Sequence, residues 1–234
     1  MLFAAGLGTR LKPFTDHHPK ALAEVNGKSL LERNILYLQH FGINELVVNV
    51  HHFADQIEDK IKRENGFGSI VNISDERHEV LETGGGLLKA AKFFNNEDFI
   101  VMNADMLTNF DLNKLIEEHK NNNALATLAV QQRDSSRQLL FNDSMQLCGW
   151  KNKINGETKI ARVNEENAEF AFSGIQIIHT DFFKQIEQRG KFSIIESYLQ
   201  LAKHNTIKGL DHSGDILLDV GKPESLHKAA ALFN

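Results

Sequence analysis

The segment Ala4-Ala5-Gly6-Leu7-Gly8-Thr9-Arg10 follows directly on a short apolar run, Leu2 to Ala5, and continues through Pro13 and Thr15 to Pro19-Lys20. Two glycines placed immediately after a strand let backbone amides converge on anionic oxygens with no side chain in the way. The forked guanidinium of Arg10 adds a cation that matches phosphate geometry. The loop therefore reads as a phosphate cradle, and Thr9, Arg10, Pro13, Pro19 and Lys20 at these intervals make it more specific than a bare Gly-x-Gly. It is not the dinucleotide fingerprint, which needs a third glycine for close helix packing, and it lacks the Gly-Lys-Ser/Thr ending of the Walker loop.

Two carboxylates complement the cradle. Asp105 follows the apolar run Phe99 to Asn103, and Asp219 closes Ile216-Leu217-Leu218, so each stands at the carboxyl end of an expected strand. With no cysteine or patterned histidine around them, such a pair suits a hard cation, Mg²⁺ above all, held by one or two carboxylates and substrate phosphates. Cradle and cation together point to nucleotide chemistry. The run Glu79-Val80-Leu81-Glu82-Thr83-Gly84-Gly85-Gly86 has two readings: a tight strand-to-helix turn without a ligand, or backbone donors and acceptors that read a base edge. His17-His18 and His51-His52 lack the i, i+4 spacing of a helical zinc site and read as surface or loop residues. Trp150 and the phenylalanines read as core.

The elements that must position these groups follow an alternating rhythm. Ser29 and Glu32 have capping-box spacing, Leu30, Leu31, Ile35 and Leu38 supply an apolar face, and Gly42 can close the helix in a left-handed conformation. Strands are expected at Leu2 to Ala5, Glu45 to Val50, Ile70 to Ser74 and Phe99 to Asn103, with helices at Ala54 to Glu64 and, after the three glycines, Leu87 to Phe94. Farther on, Asp111 caps a helix to about Lys120. Ala124 to Gln132, Leu139 to Phe141, Gln146 to Trp150, Phe170 to His179 and Asp215 to Asp219 read as strands, Ile194 to Lys203 as a helix, and Pro223 opens the last helix. Lys151 to Asn167 reads as an exposed excursion. Strands alternating with helices mean parallel βαβ units with ligands outside the carboxyl ends of the strands. The fold class is α/β: a single-domain, Rossmann-like three-layer sandwich with a mostly parallel sheet, residues 1–234 forming one domain.

Composition narrows the classes. The 234 residues are 41% hydrophobic and 24% charged with 3 prolines, which excludes disordered and low-complexity chains. A formal net charge of -5 argues against a sequence-independent grip on nucleic acid or acidic lipid. No apolar run approaches the roughly 20 residues of a membrane helix. Cys148, the single cysteine, leaves no internal disulfide or thiolate zinc site, and with no signal peptide a cytoplasmic location is expected.

These residues resemble the sugar-1-phosphate nucleotidyltransferases. The family signature Gly-x-Gly-Thr-Arg…Pro-Lys is complete as GLGTRLKPFTDHHPK. It is followed in order by LETGGG (81–86), FIVMNAD (99–105), FSGI (172–175), FSIIESYLQLA (192–202) and LDVGKPESL (218–226), so the resemblance spans essentially the whole chain. The LETGGG run and Leu147-Cys148-Gly149-Trp150 most resemble N-acetylmuramate-1-phosphate uridylyltransferases of cell-wall recycling, with mannose-1-phosphate guanylyltransferases close behind. The resemblance implies a Mg²⁺-dependent transfer of a nucleoside monophosphate from a nucleoside triphosphate to a sugar 1-phosphate, giving a nucleotide sugar and pyrophosphate. UTP and N-acetylmuramate 1-phosphate are the expected pair, with GTP and mannose 1-phosphate, or a catalytically silent nucleotide-sugar-binding regulator, as alternatives.

By motif position, Gly6, Gly8, Thr9 and Arg10 hold the triphosphate, with Arg10 on the leaving pyrophosphate. Lys20 meets the α-phosphate or the incoming sugar phosphate, Asp105 and Asp219 hold Mg²⁺, Glu79, Thr83 and Gly84 read the base, and Gly174 and Glu165 lie near the sugar. Two departures stand out: Ala104 where the family usually has glycine, and no Glu-Lys-Pro element around Arg162 to Asn167. A monomer or small homo-oligomer is expected, with no nucleic-acid or membrane partner.

Overall fold

Chain order builds the architecture outward from the first strand. The computed structural model describes residues 1–95 and 97–233. Strand β1 (Leu2–Phe3) leads into a loop of short 3-10 turns and then an antiparallel ribbon, β2 (Glu24–Val25) with β3 (Lys28–Ser29). Helix α1 (Leu30–His40) starts where the capping spacing requires, Ser29 Oγ accepting from the Glu32 N–H at 3.1 Å. It ends in a Schellman closure: Gly42, at φ +79°, donates to Gln39 O at 2.8 Å and Ile43 to Leu38 O at 3.1 Å. Strand β4 (Glu45–Val50), helix α2 (Ala54–Arg63) and strand β5 (Ile70–Asp75) follow as expected.

The next helix departs from expectation. Helix α3 (Glu82–Ala90) begins five residues before Leu87 and takes the three glycines into its interior. Helix propensity disfavours them there, but packing against the 190–192 segment leaves no alternative. A Cβ on Gly85 would stand 2.1 Å from Gly190 O, one on Gly84 2.3 Å from the Phe192 ring, and one on Gly86 2.6 Å from Glu76 Oε1. The glycines are contact points between a helix and its neighbours.

After β6 (Phe99–Asn103) and β7 (Met106–Thr108), helix α4 (Leu112–Asn122) is capped by Asp111, whose Oδ1 accepts from the Asn113 N–H at 3.0 Å. Strands β8 (Ala126–Gln131), β9 (Arg137–Phe141), β10 (Leu147–Asn152), β11 (Thr158–Ile160) and β12 (Ala168–Ile178) come next. Helices α5 (Phe182–Gln185) and α6 (Ile194–Leu201), strands β13 (Ile207–Asp211) and β14 (Leu217–Asp219), and helix α7 (Pro223–Leu232) complete the chain. Within the largely exposed 151–167 stretch, β11 pairs with β10, and Arg162 is tied to Ala202 O and Asn205 O behind α6.

The central sheet runs β5-β4-β1-β6-β12-β8-β13, with β9, β10 and β11 extending antiparallel from the first half of β12. Parallel pairings of β1 with β4 and β6, of β4 with β5 and of β8 with β13 outnumber the antiparallel ones of β12 with β6 and β8. Side chains alternate between two faces, as a strand of period two requires. Leu46, Val48 and Met102 join Leu31, Ile35, Ile57 and Leu115 of α1, α2 and α4, while Val47 and Val101 join Leu87, Phe182 and Tyr198 of α3, α5 and α6. Helices therefore cover both faces, giving the three-layer sandwich expected. A smaller cluster of Leu11, Val25, Leu30, Leu107, Val220 and Ala229 ties the first loop, the ribbon and α7 together.

Two buried histidines make stability pH-dependent. His212 lies 2.7 Å from Ser173 Oγ, 3.6 Å from Asp215 Oδ2 and 4.4 Å, ring to ring, from Phe110. Burial lowers its pKa despite Asp215 and Asp211. Burial likewise lowers that of His119, against the pull of Asp98. An imidazole with a depressed folded pKa binds its proton in the unfolded chain first, so stability is lost as pH falls through the ordinary value of about 6.5. Tm is expected to drop between pH 7 and pH 5, and His212→Gln to flatten that slope; parallel slopes in the two proteins would refute the assignment.

Candidate active site

The strand order reverses direction at β1: the chain steps outward to β4 and β5, then returns to β6 on the other side. Such a switch point leaves a crevice at the carboxyl ends of the strands. A cleft of about 390 Å³ opens there, lined by Phe3 of β1 and Ala5 and Gly6 after it, Asn49 on β4, Glu76 after β5, Asn103 and Asp105 at the end of β6, and Val80, Glu82, Thr83 and Ser193.

Its floor is a buried polar chain. Asn49 Oδ1 accepts from the Ala4 N–H at 2.7 Å, Asn49 Nδ2 donates to Glu76 Oε1 at 2.7 Å, and Glu76 Oε2 accepts from the Leu81 N–H at 3.4 Å. Burial raises the Glu76 pKa, and the Asn49 and Leu81 hydrogen bonds work against that rise. One side chain pair thus anchors both the first loop and the start of α3.

Above this floor, charged groups converge from distant parts of the chain. Lys20 Nζ is bonded to Asp105 Oδ2 and lies 3.6 Å from Asp219 Oδ1; Arg10 Nη2 lies 3.4 Å from Asp219 Oδ2. Lys20 is brought there by the turn after Pro19 and packs on the first loop. Gly8, at φ +63°, has no room for a side chain, since a Cβ would meet Thr15 Cγ2 at 2.8 Å and Lys20 Cβ at 2.9 Å. Thr15 Oγ1 donates to Gly8 O at 2.9 Å and holds the turn. Gly8→Ala is therefore expected to displace Lys20 and to cost about 1–2 kcal/mol for the left-handed backbone alone, read as a fall in Tm together with lost turnover; an unchanged Tm would contradict the crowding.

The two aspartates are set by a miniature sheet. β14 pairs antiparallel with β7 so that Asp219 stands opposite Met106, and Val220 donates its N–H to Asp105 O at 2.9 Å. Gly221 leaves space beside them: a Cβ would lie 2.7 Å from Asp219 Oδ1 and 2.8 Å from Arg10 Nη2. Asp219 Oδ1 is buried and, among the described residues, has no hydrogen-bond partner.

The remaining expected site residues are distributed as follows. Gly6 lines the cleft and Thr9 begins the 3-10 turn behind Gly8. Thr83 lines the cleft while its Oγ1 accepts from the Ile194 N–H at 3.0 Å; Gly84 donates its N–H to Phe192 O at 2.9 Å, so that amide is already engaged. Glu79 is exposed in the turn between β5 and α3, its N–H on Glu76 O at 3.0 Å. Gly174 sits at φ +73° where the pairing of β12 with β8 shifts register, and a Cβ there would be 2.7 Å from Asn103 Nδ2. Glu165 is exposed in the segment before β12 and is not among the residues that line the cleft.

Several groups at the site are not among the expected site residues. Asn49 and Glu76 are single polar residues at strand ends, with alternation of polar and apolar residues as their only sequence hint, while Asn103 lies within the FIVMNAD run without having been expected at the site. Arg133 lies just beyond β8 and donates from Nη2 to Phe172 O at 3.1 Å, beside Gly174. Burial lowers its pKa and the charge of Asp219 opposes that shift. Glu82, at the mouth of the cleft, holds φ +58°, a left-handed conformation that costs a residue with a side chain about 1–2 kcal/mol.

Residues 1–140 match the nucleotidyl transferase family. The chain belongs to this family. Among the relatives of this nucleotidyltransferase, the N-acetylmuramate alpha-1-phosphate uridylyltransferase of Neisseria meningitidis is 29% identical over 232 residues, 99% of this chain and 96% of the relative. The D-glycero-alpha-D-manno-heptose 1-phosphate guanylyltransferase of Campylobacter jejuni is 30% identical over 233 residues, 97% of this chain and 96% of the relative. In structure, the nucleotidyltransferase matches HddC from Yersinia pseudotuberculosis complexed with GMP-PN at a TM-score of 0.79 and 25% identity, covering 100% of this chain and 98% of that one. It is a sugar-1-phosphate nucleotidyltransferase, as its loop and strand-end motifs led one to expect. No described helix is long and apolar enough to cross a membrane.

Proposed function

We propose that this sugar-1-phosphate nucleotidyltransferase couples UTP to N-acetylmuramate 1-phosphate in the cytoplasm, releasing pyrophosphate and serving the recycling of cell-wall sugars. The observation that carries the reaction chemistry is the convergence of Arg10, Lys20, Asp105 and Asp219 in front of the Gly6 to Gly8 loop. Likeness to the uridylyltransferase and the LETGGG run support the uridine assignment. The guanylyltransferase relative supports GTP, with mannose or heptose 1-phosphate, as the competing pair.

A phosphate monoester has a second pKa of about 6 and is mostly dianionic at neutral pH, so the attacking oxygen needs no general base. The work left to the protein is to hold two anions in line and to neutralise charge as it moves from the α-phosphorus to the departing pyrophosphate. In this reading the loop amides of Gly6 and Gly8 with Thr9 cradle the triphosphate, Arg10 meets the pyrophosphate, and Lys20 exchanges its carboxylates for the α-phosphate or the sugar phosphate. Gly174 and Glu165 are assigned to the sugar side, and Glu79, Thr83 and Gly84 to the base side.

The residues suit Mg²⁺. Both carboxylates are hard oxygen donors, Asp219 Oδ1 is buried without a hydrogen-bond partner among the described residues, and Lys20 already occupies a position of positive charge between them. Among the described residues no group of three or more carboxylate, imidazole or thiolate side chains converges, so phosphate oxygens would complete the coordination. When bound, the ion supplies charge neutralisation on the phosphates. The deciding experiment is Mg²⁺-dependent pyrophosphate release from UTP with N-acetylmuramate 1-phosphate, beside GTP with mannose 1-phosphate and chelator controls. Turnover confined to the GTP pair would move the substrate; silence with both would overturn the assignment.

A further inference from the structure

Glu82 is held in the left-handed region, φ +58°, at the first position of α3, and the residue lines the cleft. The backbone on either side is pinned: Leu81 donates to Glu76, and Gly84 and Gly85 both donate to Phe192 O. The conformation is thus imposed by the fold, and glycine would adopt it without penalty. No structural role accounts for a glutamate there. Its ion-pair partner among the described residues, Lys191 Nζ, stands 3.9 Å away with both side chains about half exposed. An acid in the first turn gains something from the helix dipole, but other first-turn positions offer that gain without strain. Strain retained on a cleft wall marks a side chain kept for what it binds.

A carboxylate accepts hydrogen bonds only. Phosphates offer it nothing and repel it, and Gly6 and Asp105 mark the phosphate end of the same cleft. The donors left on a nucleotide are the ribose hydroxyls and the base N–H groups. Uracil presents one N–H flanked by two carbonyl oxygens, so the second oxygen of a carboxylate would face a like partial charge. A ribose diol presents adjacent donors that match both carboxylate oxygens, the recognition that acidic residues give ribose in dinucleotide sites.

We propose that Glu82 reads the ribose hydroxyls of the nucleoside triphosphate and makes the enzyme selective for ribonucleotides over 2′-deoxyribonucleotides. The inference rests on the uridylyltransferase reading only for the choice of ribose over base.

The test measures kcat/KM with UTP and 2′-deoxy-UTP, sugar phosphate saturating, for the parent, Glu82→Gly and Glu82→Gln. The parent should prefer UTP by about 10–100-fold, the range of one charge-assisted hydrogen bond. Glu82→Gly should bring the two within about 3-fold by losing rate on UTP, with Tm unchanged or up to about 4 °C higher because the strain is relieved. Glu82→Gln, which keeps one acceptor and the strain, should fall between. A parent without preference, or a preference that survives in Glu82→Gly, overturns the proposal. So does a Glu82→Gly enzyme that loses UTP and 2′-deoxy-UTP equally while gaining GTP, which would make Glu82 a base contact. Should the parent use GTP alone, the uridine assignment fails by itself, and GTP against 2′-deoxy-GTP puts Glu82 to the same question.

Discussion

Asp105→Asn should reduce pyrophosphate release by roughly 10³-fold while the protein still melts as a folded enzyme. Its backbone is held independently of its side chain, between the end of β6 and the start of β7 and by the hydrogen bond from Val220 to Asp105 O at 2.9 Å. Asparagine keeps the size and one acceptor for Lys20, so the structural loss is that of a partly exposed ion pair, about 1 kcal/mol or less. That corresponds to a Tm decrease of at most about 2–4 °C. On the proposed reading, what the substitution removes is negative charge at the place where a cation would draw two phosphate groups together. A coupled pyrophosphate assay beside a thermal melt separates the two effects. Turnover within tenfold of the parent would remove Asp105 from the reaction.

Lys20→Met tests the other half of the same cluster. Lys20 bonds Asp105 and lies 3.6 Å from Asp219, so in the free protein one ammonium compensates two carboxylates. Removing it should lower kcat/KM by about 10²–10³-fold, because a positive group is withdrawn from the developing charge. It should also leave Asp105 without a cation and Asp219 with Arg10 alone, 3.4 Å away, which strengthens their attraction for Mg²⁺. Millimolar Mg²⁺ is therefore expected to raise the Tm of Lys20→Met more than that of the parent, by ordinary ligand linkage. Equal Mg²⁺ shifts in the two proteins would show that the carboxylates do not form the cation site, whatever the activity.

Local physical chemistry left strong marks on the chain. Ser29 with Glu32 and Gly42 bounded α1, Asp111 capped α4, and Glu45–Val50 and Phe99–Asn103 were recognisable as strands from apolar runs, because each of these signals acts within a few residues. The loop from Gly6 to Arg10 was legible for the same reason: Gly6, Gly8 and Arg10 are neighbours, and their turn needs little beyond a preceding strand. Other elements were hidden where distant packing overrules local preference. The start of α3 at Glu82 depends on Gly190 and Phe192 accepting helical glycines against them. Strand β13 carries a glycine at 209 that pattern reading discounts, yet a Cβ there would meet Phe141 Cε1 at 2.8 Å.

Residue types and order along the chain were enough for the family, the α/β class and the identity of Arg10, Lys20, Asp105 and Asp219 as the charged groups to watch. Their meeting was not. Asp105 and Asp219 come together because β14 returns to pair with β7, and Lys20 reaches both because Gly8 lets it pack on the first loop. The Asn49 and Glu76 floor and the left-handed Glu82 likewise exist only in three dimensions. Hydrogen bonds, charge contacts and backbone strain of this kind are set by groups far apart in sequence, and no local propensity encodes which of them will face one another.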